Sequence, residues 1–274
     1  MTPIESDEEL TRKQRREQAR ADRRALEEAE VAGAARRRRL QLLGGVVAIV
    51  VVAIVAVLVA TGGGEKKGLV KGSESTKVTT EIASLVGGIP QSGLVLGKPT
   101  APVTLQYFGD LECPICKEFT LGALPFVINR WVRAGDLRIE YRSLETATRE
   151  PETFKKQQVA ALAAGAQGKM WTFVETFYHE QGEESSGYVT ESYIDGIAKQ
   201  VPGLNLTQWQ EARNNKKYAA EVEEDAQAAN NAGFTGTPAF LLGRSGGAMT
   251  KFEPPTGLTN PAGFNEAIEK LVKS

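Results

Sequence analysis

The chain of 274 residues contains only two cysteines, Cys113 and Cys116, and they enclose Pro114 and Ile115. The preceding segment, VTLQYF at 103–108, is an apolar run of strand length, whereas the following segment has helical periodicity. A thiol at such a junction lies at a helix N-terminus, where free N–H groups and the helix dipole stabilise a thiolate. Pro114 suits the first helical position because no N–H is needed there. The pattern predicts Cys113 as an exposed nucleophile and Cys116, one turn deeper, as the thiol that resolves a mixed disulfide.

Two cysteines at this spacing can bind a metal, form a structural disulfide, or cycle between dithiol and disulfide. A structural zinc site needs four ligands, and the chain has one histidine, His179, beside its two thiols. A structural disulfide stabilises a protein mainly by closing a long loop, and this loop is very short. Redox cycling therefore fits the spacing best, and it needs no metal and no organic cofactor.

The rest of the chain alternates between strand and helix patterns. Strands are predicted at 103–108, 137–144 and 234–242, with a short strand near 251–252. Helices are predicted at about 114–134, 152–181, 190–200, 207–231 and 261–273. This order indicates an α/β sheet domain with an all-helical insertion at about 150–231.

Residues 40–60, LQLLGGVVAIVVVAIVAVLVA, carry no charge. A helix of this length spans roughly 30 Å, the thickness of a bilayer core, and is longer than the apolar part of a secretory signal. The segment is predicted to be a transmembrane signal anchor that stays in place. A cleavable signal is the alternative, because small residues at 57–60 offer a cleavage site.

The segments on either side of this span differ in charge. Four arginines at 36–39 precede it, and basic flanks stay in the cytoplasm. Residues 1–39 are therefore predicted to be a charged cytoplasmic tail. Residues 61–80 are rich in Gly, Ser and Lys and are predicted to be a flexible linker to an extracytoplasmic domain at 81–274. The total of 33 basic against 34 acidic residues gives no basic field for nucleic acid.

A second short segment, GFTGTPAFLL at 233–242, carries a proline where a strand begins. Proline cannot donate a hydrogen bond to a sheet, so this position is unusual. The bond between Thr237 and Pro238 is one at which a cis peptide can occur. An ordinary turn is the simpler alternative.

Together these segments resemble the DsbA-like branch of the thioredoxin superfamily, and most of all its membrane-anchored bacterial thiol-disulfide oxidoreductases. The resemblance rests on GIPQSGLVLGKPTAPVTLQYFGDLECPIC at 88–116, GAQGKMWTFVETFYHEQ at 165–181 and GFTGTPAFLL at 233–242. It implies a thioredoxin fold in which the helical insertion caps the active site. It also implies that Thr237 and Pro238 face the two cysteines and offer backbone hydrogen bonds to a bound extended peptide.

Two positions depart from the pattern of that family. The family usually has a buried acid six residues before the first cysteine, where this chain has Tyr107. The nearby Asp110 and Glu112 fall in a turn and are predicted to be exposed, with Glu112 opposing ionisation of Cys113 by like-charge repulsion. Strong oxidants of the family often carry histidine between the cysteines, where this chain has Ile115. The resemblance therefore implies a milder oxidant.

The function that follows from the resemblance is oxidation of thiols in secreted or cell-envelope proteins through a Cys113–Cys116 disulfide. The enzyme would sit in the cell membrane as a single-pass protein with its catalytic domain outside, and a membrane redox partner would reoxidise it. A disulfide reductase or isomerase is one alternative. A redox-sensing or peptide-binding module without turnover is another.

Overall fold

The computed structural model describes residue 69 and residues 72–274. The predicted tail at 1–39, the predicted membrane span at 40–60 and half of the predicted linker at 61–80 lie outside the described residues. Over the residues that are described, the chain forms no helix with the length and apolar character needed to cross a bilayer.

A six-stranded mixed sheet forms the centre of the domain. Its strands are β1 (Gln91–Ser92), β2 (Val95–Leu96), β3 (Val103–Gly109), β4 (Leu137–Ser143), β5 (Ala239–Arg244) and β6 (Thr250–Lys251). Their order across the sheet is β1-β2-β4-β3-β5-β6. β3 pairs in parallel with β4 and antiparallel with β5, so Leu105 lies between Ile139 and Leu242. Nearly all of β3 is buried, including the polar Thr104, and only Gln106 is partly exposed.

Helices cover the sheet and form the insertion. They are α1 (Ser73–Val86), α2 (Pro114–Leu121), α3 (Leu124–Val127), a π-helical turn (Ile128–Val132), α4 (Pro151–Gly165), α5 (Met170–Glu180), α6 (Glu191–Gln200), α7 (Leu206–Arg213), α8 (Lys216–Asn231) and α9 (Ala262–Lys273). Helices α4 to α8 lie between β4 and β5 in the chain. The α/β class with a helical insertion is thus confirmed.

The predicted helix at 114–134 is interrupted. α2 ends at Leu121 with Gly122 as its C-cap, and a new helix begins at Leu124. Pro125 explains the break, because proline has no N–H to donate to the carbonyl of Leu121 and its ring crowds the preceding turn. The chain then widens into a π-helical turn in which the N–H of Arg133 bonds to the carbonyl of Ile128.

Three further elements begin or end elsewhere than the patterns predict. The segment 152–181 forms two helices separated at Gly168, whose positive φ of 64° favours glycine. The segment 207–231 also divides, because the side chain of Asn215 caps a new helix by accepting from the N–H of Lys217. β5 starts only at Ala239, after Pro238.

α1 includes residues 73–80, for which the composition predicts linker. Val78, Ile82 and Val86 recur at intervals of four, and this spacing places them on one helix face. Ile82 and Val86 are buried in the main core, and Val78 packs against it. Burial of this apolar face accounts for the helix, since an isolated helix of this length is marginal in water.

Candidate active site

The two cysteines lie where the buried central strand passes into α2. Cys113 is the N-cap of that helix, and Pro114 occupies its first turn. The backbone N–H of Cys116 donates to the Sγ of Cys113 over 3.4 Å, and the N–H of Lys117 donates to its carbonyl oxygen. The first sulfur therefore occupies the helix N-terminus, as the sequence pattern predicts.

The surroundings of Cys113 lower the pKa of its thiol. A hydrogen bond with the Cys116 side chain is the largest cause that lowers its pKa to about 6, and burial opposes this effect. Hydrogen bonds from the Thr237 side chain and from the backbone of Cys116 and Ile115 lower the pKa further. Only 5% of Cys113 is exposed. The prediction of an exposed nucleophile is wrong in that respect, because neighbouring groups cover the sulfur.

Cys116 has the opposite character. It is fully buried, and desolvation, followed by its interactions with Cys113, raises its pKa well above the ordinary value. Both cysteines are free thiols in the structure. The first ionisation of the pair therefore takes place on the outer sulfur, and the inner sulfur keeps its proton.

The loop before β5 faces this pair. The peptide bond between Thr237 and Pro238 is cis. The thiol of Cys113 donates to the carbonyl oxygen of Thr237 over 3.5 Å. A groove of about 420 Å³ continues from this loop and is lined by Phe234, Thr237, Pro238, Phe252, Leu258 and their neighbours. Ile115, between the two cysteines, is 42% exposed. The structure thus brings together the cysteine pair and the Thr237–Pro238 segment.

Asp110 is completely buried, so the prediction that it is exposed is wrong. Its Oδ2 accepts the backbone N–H groups of Thr146, Ala147 and Thr148 at 2.8–3.0 Å. Its Oδ1 accepts the N–H of Glu112 and the hydroxyl of Thr148. Burial of a carboxylate is tolerated here because donors surround it.

Glu112 is also buried, with 4% of its surface exposed. Burial is the main cause, and the neighbouring Asp110 the second, of a rise in its pKa to about 7. The prediction that it is exposed is likewise wrong. The insertion covers this turn, and the local sequence pattern gives no sign of that contact.

Tyr107 occupies the position at which the family usually has a buried acid. It is fully buried, and its hydroxyl donates to the hydroxyl of Tyr178, which donates to the carbonyl oxygen of Asp110. Burial raises the pKa of both phenols well above the ordinary value, so both stay protonated. The hydroxyls of Tyr107 and Tyr178 therefore form a hydrogen-bonded link to the active-site turn at the position where the family usually has an acid.

The sequence analysis missed Gln181, which follows α5. Its Nε2 donates to the carbonyl oxygens of Leu111 and Cys113 at 2.8 and 3.1 Å. The Nζ of Lys117 donates to the carbonyl oxygen of Gln181. The one available signal was its place at the end of the matching segment 165–181. The insertion thus holds the backbone of the active-site turn directly.

Comparisons with known proteins agree with this geometry. A family model described as thioredoxin matches residues 91–251, more than half of the chain. The chain is 26% identical over 153 residues to disulfide bond formation protein D of Bacillus subtilis, an alignment that covers 54% of this chain. The chain spans about two thirds, 66%, of that relative.

Solved structures show the same fold. Oxidised BdbD of Bacillus subtilis aligns with a TM-score of 0.57 and 22% identity over 69% of this chain and 99% of that one. Alpha-DsbA1 of Wolbachia pipientis aligns with a TM-score of 0.55 and 19% identity over 66% of this chain and 90% of that one. The chain therefore belongs to the thioredoxin family.

Proposed function

We propose that this protein is a membrane-anchored, extracytoplasmic thiol-disulfide oxidoreductase that forms disulfides in secreted proteins. The observation that carries the proposal is the opposite ionisation of the two thiols, with the pKa of Cys113 lowered to about 6 and that of Cys116 raised. This asymmetry gives the pair an outer sulfur that reacts with substrate and an inner sulfur that closes the disulfide.

The reaction begins with the oxidised pair. A substrate thiolate attacks the Sγ of Cys113, the bond between the two enzyme sulfurs breaks, and Cys116 leaves as a thiolate that takes up a proton. A second substrate thiolate then attacks the substrate sulfur of the mixed disulfide, and Cys113 leaves as a thiolate. The substrate has lost two electrons and gained a disulfide, and the enzyme has gained two electrons as a dithiol.

The lowered pKa of Cys113 favours this direction. A thiolate stabilised in the reduced enzyme is a good leaving group, and it makes the reduced form more stable relative to the disulfide. Ile115 lies between the cysteines, so no imidazolium at that position strengthens the effect. The protein is therefore proposed to be an oxidant milder than the strongest members of its family.

The Thr237–Pro238 segment and the groove beside it are proposed to bind the substrate chain. The groove combines apolar side chains such as Phe234 and Leu258 with the backbone of the loop. An extended peptide gains affinity from main-chain hydrogen bonds and selectivity from such apolar walls. Pro114 and Ile115, both exposed, would form the other side of the contact.

The proposed location rests on the sequence. Residues 40–60 would anchor the protein, and the arginines at 36–39 would keep its N-terminus in the cytoplasm. Outside the membrane, thiols of secreted proteins meet oxidising conditions. A membrane redox partner would accept the two electrons and restore the Cys113–Cys116 disulfide.

The test is the reduction potential of the full chain, equilibrated against glutathione buffers, combined with an oxidation assay. A potential near the oxidising end of the known range, about −120 to −200 mV, and oxidation of a reduced, unfolded secreted protein would support the proposal. A potential of about −270 mV, like that of thioredoxin, would reverse the direction and favour a reductase. Failure of the two cysteines to pair at any potential would remove the dithiol mechanism.

A further inference from the structure

The carboxylate of Asp110 organises the loop that follows β4. Three successive backbone N–H groups, those of Thr146, Ala147 and Thr148, point at one carboxylate oxygen. The other oxygen accepts from the hydroxyl of Thr148 and from the N–H of Glu112, one residue before the first cysteine. One buried side chain therefore joins the 146–148 loop to the active-site turn.

The same loop reaches the Thr237–Pro238 segment. The hydroxyl of Thr146 is hydrogen-bonded to the hydroxyl of Thr237, and either oxygen can be the donor. Thr237 in turn contacts Cys113 through its carbonyl oxygen, 3.5 Å from the sulfur. A continuous series of contacts thus runs from Asp110 through Thr146 and Thr237 to the sulfur that reacts.

We propose that Asp110 and Thr146 are positioning residues of the exchange reaction: Asp110 fixes the 146–148 loop, and the Thr146 hydroxyl donates to Thr237 and holds it against Cys113. The inference deepens the proposed function and rests on it. Neither residue touches the reacting sulfur, so each acts through Thr237.

The effect on the pKa of Cys113 depends on which hydroxyl donates in the hydrogen bond between Thr146 and Thr237. If Thr146 donates, the proton of the Thr237 hydroxyl is left for the sulfur, and that side chain is one of the groups that lower the pKa of Cys113. If Thr237 donates instead, its proton is bonded to the hydroxyl oxygen of Thr146 and is not left for the sulfur. A hydroxyl held in place also stabilises a thiolate without first losing rotational freedom. The two directions therefore predict opposite results when the Thr146 hydroxyl is removed.

The experiment compares Thr146→Val, which keeps the shape but loses the hydroxyl, with Thr146→Ser, which keeps the hydroxyl. The full chain is reduced, and thiolate formation is followed by ultraviolet absorbance against pH. We expect Thr146→Val to raise the pKa of Cys113 by about one unit, the size of one lost hydrogen bond to a charged group. Thr146→Ser should stay near the wild type. Following the thiolate itself separates Cys113 from Glu112, whose pKa of about 7 falls in the same range.

Asp110→Asn keeps the size of the side chain but faces the three N–H groups without a full charge. Removal of a negative charge by itself lowers the pKa of a nearby thiol, so we expect a smaller rise in the pKa of Cys113 than in Thr146→Val. Asp225→Asn is the matched control. Asp225 is also a buried carboxylate near the end of β4, where it accepts the N–H and hydroxyl of Ser143 and pairs with Arg142. Its loss should lower the melting temperature and leave the pKa of Cys113 unchanged.

An unchanged or lowered pKa in Thr146→Val would overturn the inference, and this variant decides the matter even if Asp110→Asn does not fold. An equal pKa rise in Asp225→Asn would also overturn it, because the effect would then be general loosening. The proposed function fails by a different result, namely absence of disulfide exchange by the wild-type protein. The thiolate titration does not depend on that assay.

Discussion

The Sγ of Cys113 donates to the carbonyl oxygen of Thr237 over 3.5 Å, although the two residues are 124 positions apart in the chain. The contact joins the start of α2 to the loop before β5, two segments that flank the central strand. A substrate disulfide formed on Cys113 would therefore lie beside the backbone of the Thr237–Pro238 segment.

Replacement of the cysteines should separate the two chemical roles. Cys113→Ser is expected to abolish exchange, because it removes the outer sulfur. Cys116→Ala is expected to accumulate mixed disulfides with an oxidised client, because the Cys113 thiolate attacks the client disulfide and no inner thiol then closes the Cys113–Cys116 disulfide to release the client. Non-reducing gels of the full chain incubated with an oxidised client protein measure both effects. Clients that stay bound in both variants would instead indicate a binding module.

The reactivity of Cys113 should follow its lowered pKa. Alkylation by iodoacetamide is expected to rise with pH around a midpoint near 6, and Cys116 should stay unmodified in the folded protein. Mass spectrometry of the modified peptide identifies the site. A single midpoint near the ordinary value of 9 for the folded protein would contradict the prediction.

The same shift should make the stability of the reduced protein depend on pH. The folded pKa of Cys113 is below its unfolded value, so the stabilisation is complete above pH 9 and is lost as pH falls through about 6. At pH 7 it amounts to about 1.4 kcal/mol. Denaturant unfolding of the reduced wild type and of Cys113→Ser across pH 5–9 measures it. A constant difference between the two across that range would argue against the assigned pKa.

Glu175 on α5 destabilises the fold when its side chain is ionised. It is fully buried, neither carboxylate oxygen has a hydrogen-bond partner among the described residues, and burial raises its pKa to about 8. A raised pKa in an acid means that ionisation destabilises the fold as pH rises from about 4.5 towards 8. Glu175→Gln should therefore stabilise the protein at pH 7, by an amount on the order of 3 kcal/mol, and have little effect at pH 4.

Thermal unfolding at the two pH values measures this difference. Glu224→Gln, at an exposed position on α8, is the control that removes a charge without changing burial. It should change stability by a few tenths of a kcal/mol at either pH. Equal effects of Glu175→Gln at pH 4 and pH 7 would show that charge is not the cause.

Gln181→Met should loosen the active-site turn. The change keeps the length of the side chain but removes the side-chain donor to the carbonyl oxygens of Leu111 and Cys113, of which the second keeps the N–H of Lys117. The expected loss of stability is about 1–3 kcal/mol, the usual effect of leaving buried polar groups unpaired. Hydrogen exchange should increase at residues 110–117. Unchanged exchange there would show that the turn is held by its other contacts.

The sequence predicted the elements that depend on local pattern. The apolar run of β3, the alternation of β4 and the strand–helix junction at Cys113 all follow from periodicity and helix-capping chemistry. The division of the long helical segments was missed, because Pro125 and Asn215 are single residues within otherwise helical patterns. The burial of Asp110 and Glu112 was also missed, since it depends on residues more than thirty positions later in the chain that cover the turn.

Site residues were predictable to the extent that their chemistry is local. Cys113 and Cys116 are predicted from their spacing, whereas the role of Thr237 and Pro238 is implied only by the family resemblance, because a proline at the start of a strand also fits an ordinary turn. Asp110 lies three residues before the first cysteine, but a single aspartate in a turn gives no sign of the partners it will meet. Its role becomes visible only when the 146–148 loop folds over it.

The hydrogen bonds of Gln181 to the active-site turn have a consequence for how this protein can be divided or recombined. The insertion supplies a donor to the backbone of the turn that carries Cys113. The insertion therefore cannot be removed without loss of support for the active site. A chimaera that grafts a different insertion between β4 and β5 would inherit the cysteines but not their support. Exchange of modules between relatives should therefore succeed only when the turn and the end of α5 are transferred together.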